Sequence, residues 1–333
     1  MDDATLAELV TTSGVRHSNA GRRPQGAAYY REAARLATQA GDTLRLGRAL
    51  GYLADVVTGT DPAAGAEAAR AGADHSRRAG ARDPLAVAVA NLAQALLMTG
   101  DWDTAEAELA QAIDGDGVAD IEFLPCYRAW VAALRGDTET AQAILAGLSD
   151  LRASEDPQDQ ALIAVVEGFT AAGHQPAAAL RCARVVLGQV GALGISHEYL
   201  RWAWPLAARA AHDLADTATV NDLLAMLDRY QPGELAPMQR AERDLARARR
   251  PDSSPDAGAA LAAAITGLRQ HSTPYHLAHG LLDHAQHLLR TGDAEAAEAA
   301  IGEARSIAGR LGSQPLLDRA DTTQPAAPHT TAS

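Results

Sequence analysis

Eight turn positions recur along this chain at nearly even intervals: Gly21, Gly59, Gly100, Gly136, Gly173 and Gly292, with Ala215 and Asp252 filling the two gaps. The spacings between successive members are 38, 41, 36, 37, 42, 37 and 40 residues. Self-similarity at such a period is the mark of stacked helix pairs, because one pair cannot bury its apolar face alone. The series therefore predicts an all-α, right-handed superhelical solenoid of about eight antiparallel helix pairs.

The columns that follow each turn agree. Five residues on stand Gly26, Ala64, Ala105, Ala141, Ala178, Val220, Ala257 and Ala297, nearly all small. Nine on stand Tyr30, Ala68, Leu109, Leu145, Cys182, Leu224, Leu261 and Ile301, and twelve on Ala33, Ala71, Ala112, Leu148, Val185, Leu227, Ala264 and Ala304, all apolar. Offsets of four and three residues place the three columns on one helical face, with the small residue where neighbouring helices come closest.

Punctuation supports the register. Asp61-Pro62, Asp83-Pro84, Asp156-Pro157, Ser254-Pro255 and Thr273-Pro274 pair a capping oxygen with a proline at the first helical position, where its missing N–H costs nothing. Gly41-Asp42, Gly100-Asp101, Gly136-Asp137 and Gly292-Asp293 combine a helix stop with an acidic helix start. First helices are expected to begin near Ala4, Thr43, Pro84, Glu122, Pro157, Ser196, Pro237 and Pro274. One solenoid is expected over residues 1–319, with a disordered tail over 320–333 and a weak point in the loop from Arg249 to Asp256.

Composition bounds the chemistry. The 47% hydrophobic content, mostly alanine and leucine with 4% aromatic, suits closely packed helices. A net charge of -13 opposes direct binding to nucleic acid, which needs clustered basic residues. Every basic side chain apart from histidine is arginine, so a P-loop lysine, a Schiff-base lysine and a lysine general base are all excluded. Cys126 and Cys182 show no metal or disulfide spacing. No targeting or membrane-spanning run is evident, so a soluble, cytoplasmic protein without a cofactor is expected.

Two stretches carry a resemblance. AHGLLDHAQHLLRTGDAEAAEAAIGEA, Ala278 to Ala304, resembles a tetratricopeptide repeat, with Ala285, Gly292, Ala297 and Ala304 where that family keeps small residues; NLAQALLMTGDWDTAEAELAQAI, Asn91 to Ile113, resembles it equally. YLRWAWPLAARAAHDL, Tyr199 to Leu214, and STPYHLAHGLLDHAQHLL, Ser272 to Leu289, are similar to the C-terminal helical-repeat region of actinobacterial LuxR-type regulators and adenylate cyclase-linked ATPases. The resemblance implies a solenoid for sensing or protein contact, and brings no catalytic residue with it.

On that pattern the inner face of the first helices lines a groove, giving Phe123, Cys126, Trp130, Glu167, Trp202, Arg209 and His212 as candidate partner-binding residues. Aromatics flanked by charge suit a protein or peptide partner; the alternative is that Trp130 and Trp202 fill core. His279, Asp283 and His287, at i, i+4 and i+8, share a helical face that could hold a metal, although a solvated cluster is the expected state. The DGDGVADIE segment, Asp114 to Glu122, fails the calcium-loop pattern and is expected to be a polar turn. Arg240, Arg243, Arg247, Arg249 and Arg250 are interleaved with acids and form a solvated helix face. Pro205 implies a kink, or a helix beginning at Trp204.

The expected function is a non-enzymatic interaction or regulatory module; the alternatives are a sensor holding a small effector or peptide in its groove and, least favoured, a metal-dependent enzyme at the C-terminal histidines. Catalysis needs titratable groups converging from several elements, and no such set is visible in the sequence.

Overall fold

The structure is a computed structural model, and it describes residues 2–118, 120–250 and 257–323. Among these residues all regular secondary structure is helical. The first half holds α1 (Asp3–Asn19), α2 (Arg23–Ala40), α3 (Thr43–Thr58), α4 (Pro62–Ala79), α5 (Arg82–Thr99), α6 (Trp102–Ala110), α7 (Phe123–Arg135), α8 (Thr138–Ala146) and the single turn α9 (Ser149–Ala153). The second half holds α10 (Pro157–Ala171), α11 (Pro176–Gly188), the single turn α12 (Val190–Leu193), α13 (Glu198–Asp213) and α14 (Thr217–Asp228). It ends with α15 (Pro237–Ala248), α16 (Ala257–His271), α17 (Pro274–Thr291), α18 (Ala294–Leu311) and α19 (Gln314–Thr322). Eight pairs follow one another, their first members being α1, α3, α5, α7, α10, α13, α15 and α17.

The caps work as the residue types dictate. Asp42, Asp101, Asp137 and Asp293 each accept a hydrogen bond from the backbone N–H three residues on, satisfying a donor that the helix itself cannot, worth about 1 kcal/mol each. Asp61, Asp156 and Thr273 cap three of the helices that open with proline. Helix α5 opens at Arg82, two residues before the expected start, so Asp83 and Pro84 fall inside its first turn. Helix α13 runs through Pro205 from Glu198, which excludes a start at Trp204 and leaves the carbonyl of Arg201 without its helical donor.

Turn conformation explains where the repeat slips. Gly21, Gly100, Gly136 and Gly292 are left-handed, and so is Ala215 at φ 54°, the one non-glycine residue with positive φ among the described residues. Gly59 is right-handed at φ -65°, and Gly173 is likewise not left-handed. After these two the second helix starts one residue later, at Pro62 and Pro176. The buried face shifts with it, to Gly65, Ala69 and Gly72 in α4 and to Ala179, Ala183 and Val186 in α11. Val185, expected on the apolar face, is 50% exposed. Gly59 is there for room: a Cβ would fall 2.5 Å from Arg201 Nη1.

Successive helices pack serially from α1 to α5 and again from α15 to α19, as a solenoid requires. The inner wall, however, does not stay open. The eighth pair returns to the third and fourth: a Cβ on Gly100 would lie 2.9 Å from Pro274, and the Ser313 hydroxyl donates to the Leu134 carbonyl at 2.8 Å. Trp102 and Tyr275 approach to 6.0 Å between ring centroids. One hydrophobic core runs from Ala73 in α4 to Ala320 in α19.

Ala320 is buried and the last helix reaches Thr322, so the tail expected from residue 320 begins as ordered helix; residues 324–333 lie outside the described residues, as do 251–256 of the expected weak loop and the turn position Asp252. The DGDGVADIE segment opens on a π-helical turn, Gln111–Gly115, after which Val118 is fully buried and Asp116 pairs with Arg77 at 2.8 Å. No described helix is long and apolar enough to cross a membrane.

Candidate functional site

The structure separates the seven groove candidates. Trp130 is 1% and Trp202 2% exposed, and Cys126 is fully buried. The two indoles meet edge to face at 5.4 Å, with Phe169 stacked on Trp130 at 6.1 Å and Trp202 near Tyr275 at 6.5 Å. These rings come from α7, α10, α13 and α17, so the closing of the solenoid turns what would have been a groove wall into core. Burial also pushes the Cys126 thiol up, leaving it unreactive. Phe123 is half-buried, packed against the core; Glu167 pairs with Arg152 at 2.8 Å; His212 is exposed. Of the set, Arg209 alone reaches a cavity of ligand size from a largely buried position.

That cavity, about 470 Å³, lies between α7, α10, α13, α17 and α19. Phe169, Leu206, Tyr275 and Leu134 give it apolar walls, while Arg209, His276, His279 and Arg319 bring polar groups to it. A smaller cavity of about 250 Å³ lies on the other side of α13, between α13, α14 and α15, and includes Glu242 and Arg249. Pro205 and Arg209 line both. The spacing Trp202, Pro205, Arg209 is i, i+3, i+7, one stripe of a helix, which is why a single helix presents core and site together.

Asp283 is the anchor. Only 3% of its side chain is exposed, yet three guanidiniums reach it: Arg249 at 3.1 Å, Arg209 at 3.4 Å, and Arg319, which donates to the other carboxylate oxygen. Burial alone would raise this carboxyl, but Arg249, Arg319 and Arg209 together outweigh it and hold the group well below the usual carboxylate range. The arginines respond in turn. Burial and mutual repulsion bring Arg249 down to about 10 despite Asp283, whereas for Arg209 the attraction of Asp283 and Asp213 overcomes burial and raises it.

The neighbouring histidines stay uncharged. Burial brings His276 down to about 3, with Arg209 adding to it, and burial and the same arginines bring His279 well below its ordinary value. Arg319 lies 2.7 Å from His279 Nδ1; guanidinium can only donate, so Nδ1 is the acceptor and the ring proton sits on Nε2. Burial pushes Glu242 up to about 7, opposed by a hydrogen bond from the Ser272 hydroxyl at 2.8 Å and by Arg209 and Arg249. His279 and Asp283 are thus engaged by arginine, which repels a cation, and His287 is only part-buried near Arg290. The face of His279, Asp283 and His287 is not the solvated cluster expected, since His279 and Asp283 are buried, and among the described residues no cluster of three His, Cys, Asp or Glu is arranged to hold a metal.

The basic run resolves in the same way. Arg243 and Arg247 pair with Asp228 on α14, as a solvated face should, but Arg249 turns inward to Asp283. A second buried polar group lies at the start of α13. The Tyr127 hydroxyl donates to Glu198 Oε1 at 3.0 Å, Gln94 donates to Tyr127 at 2.6 Å, and Arg201, 2% exposed, donates to the Ser196 carbonyl at 2.8 Å. Burial pushes Glu198 up to about 7, Asp55 adding to it. These contacts tie α5 and α7 to α13 across the inside of the turn.

Sequence reasoning found Arg209 and singled out Asp283, but it missed Arg319 and Glu242, and it read Arg249 as surface. Their partners lie 30 or more residues away, so no local pattern marks them. Fold and cavity together define an all-helical repeat protein with an inner cavity walled by five of its helices. No family model and no curated protein matches the chain. Among solved structures the chain is similar to a circular tandem repeat protein with novel repeat topology and enhanced subunit contact surfaces, at 13% identity over 96% of this chain and 87% of that one, with a TM-score of 0.17.

Proposed function

We propose that this protein is a non-enzymatic binding module of regulatory type whose occupant is a small molecule held in the chamber, not an extended peptide laid along an open groove. The observation that carries this reading is the pair of cavities sharing Pro205 and Arg209 on α13, the larger of about 470 Å³, which falls within the range of small-molecule sites. Apolar walls from Leu134, Phe169 and Leu206 stand beside polar groups that can fix an orientation. The burial of Trp130 and Trp202 removes the aromatic anchors that a peptide would have used.

A thermal-shift screen of small organic compounds tests it, since a ligand that binds only the folded state raises the melting temperature. Leu206→Trp, which fills the larger cavity, should abolish any shift while leaving helicity intact. A screen in which the shifts persist in that variant would place the binding elsewhere and refute the reading. A protein partner remains the second reading, favoured by Leu9, Tyr29 and Leu44, which stand exposed on the first three helices. Cross-linking pull-down with Leu9→Ser and Leu44→Ser tests that surface: loss of a captured partner supports it, and unchanged capture removes it.

A further inference from the structure

The chemistry of the occupant can be taken further, on the footing that the larger cavity is a binding site. Its charges are already balanced. Arg209 and Arg319 on its wall are matched by Asp213 and Asp318, which line it too. Both arginines also hold the buried Asp283, and the Glu242 carboxyl faces Arg209 from the smaller cavity. His276 and His279 are kept uncharged by burial. A charged occupant would give up its hydration here and find no unclaimed opposite charge in return, which is costly. A neutral occupant avoids that cost.

Hydrogen-bonding capacity, unlike charge, is left over at the buried end. Tyr275 lines the cavity at 9% exposed, yet among the described residues its hydroxyl has no hydrogen-bond partner and is not sealed in by packing. Beside it, at 4.7 Å between ring centroids, His279 gives Nδ1 to Arg319, so its Nε2 carries the proton and is a donor, unpartnered among the described residues. The His276 ring hydrogen-bonds only through Nδ1, with Thr273 at 2.7 Å. The free acceptors stand elsewhere: Asp213 is half exposed and Asp318 is exposed. We infer that the larger cavity takes a neutral cyclic molecule carrying a carbonyl, a ketone, lactone or lactam, its oxygen received by the Tyr275 hydroxyl with His279 beside it, and its body seated on Leu134, Phe169 and Leu206. A carbonyl oxygen only accepts, which suits a buried end whose free groups donate, and burying it against a donor removes the cost of leaving the Tyr275 hydroxyl unpaired.

The test compares four probes of one shape by calorimetry on the full chain: 1-indanone, indane, 1-aminoindane and indane-1-carboxylate. The ketone should bind, and the amine and the acid should bind at least about a hundred-fold more weakly, since each brings an uncompensated charge. Tyr275→Phe removes the hydroxyl and keeps the ring; it should weaken the ketone by roughly three- to ten-fold and leave indane unchanged, as loss of one hydrogen bond implies. Because that hydroxyl holds nothing in the fold, circular dichroism and melting temperature should not move. Amine or acid binding as well as the ketone would overturn the neutral occupant, and ketone binding unaffected by Tyr275→Phe would overturn the carbonyl contact; in both cases the cavity stands as a binding site. If none of the four binds the wild type, the inference is overturned, while the compound screen with Leu206→Trp still decides the reading on which it rests. The comparison of ketone, amine and acid needs no variant, so a misfolded Tyr275→Phe would not rescue the idea.

Discussion

Replacing Glu242 with glutamine isolates one buried carboxyl and gives a stability effect whose sign depends on pH. In the fold this group titrates at about 7, against 4.5 for the free side chain, because burial disfavours its charged form. The groups facing it are Ser272 and Asp283 on or before α17, Arg209 on α13 and Arg249 at the end of α15. Because the raised value means that the folded chain holds a proton the unfolded chain has already released, stability is lost as pH climbs from the unfolded value through the folded one. Integrated between about pH 5 and pH 8, the loss is roughly 2 to 3 kcal/mol.

Glutamine keeps the acceptor for Ser272 and has no proton to lose, so its protein lacks this loss. The assay is urea unfolding followed by tryptophan emission at closely spaced pH values. His276 and His279, held low by burial, contribute the opposite slope, with stability rising towards pH 6.5; they are the same in both proteins and cancel in the difference. Glu242→Gln should therefore gain on the wild type steadily from about pH 5 to pH 8. A difference that stays flat within about 0.5 kcal/mol would mean that the carboxyl is hydrated in the fold, and the reasoning about its burial would be wrong.

Four further outcomes follow from the packing. Trp130→Ala removes a ring 1% exposed at the meeting of four helices and should cost about 3 to 5 kcal/mol in chemical denaturation. Asp283→Asn leaves three largely buried arginines facing only the half-exposed Asp213 and the Glu242 carboxyl and should cost a similar 3 to 5 kcal/mol, with Arg249→Met restoring part of it in the double variant. Ala215→Gly relieves a left-handed backbone at φ 54° and should raise stability by about 1 kcal/mol. Val185→Ser should stay within about 0.5 kcal/mol of wild type while Val186→Ser costs well over 1 kcal/mol, read by melting temperature; the reverse order would put the register of α11 off by one.

The fold was legible because its signals are local. A glycine stop, an aspartate cap and small residues four and three apart all act within one helix pair, and first helices begin within about two residues of where those signals place them. In five of the eight pairs all three apolar columns are buried, as Ala105, Leu109 and Ala112 or Ala297, Ile301 and Ala304 show, and in the seventh Leu261 and Ala264 are. The two slips, after Gly59 and Gly173, come from turns one residue longer, a difference that residue identity alone does not reveal because glycine tolerates both hands. The site was much less legible. Whether Trp130 faces a groove or a core depends on how far each pair rotates against the last, and that sum over five pairs decides whether α17 meets α6. The attachment of Arg249 and Arg319 to Asp283 depends on the same sum.

The contact of the eighth pair with the third also bears on how the chain would respond to a change in its number of units. An open array tolerates adding or deleting a module, since only nearest neighbours feel it. Here the seam formed by Gly100, Leu134, Pro274 and Ser313 sets a fixed circumference: excising one module between the fourth and the eighth would leave the two edges unable to meet, exposing Trp102 and Tyr275 together. Gly59, set against Arg201, draws the second module into the same closed constraint.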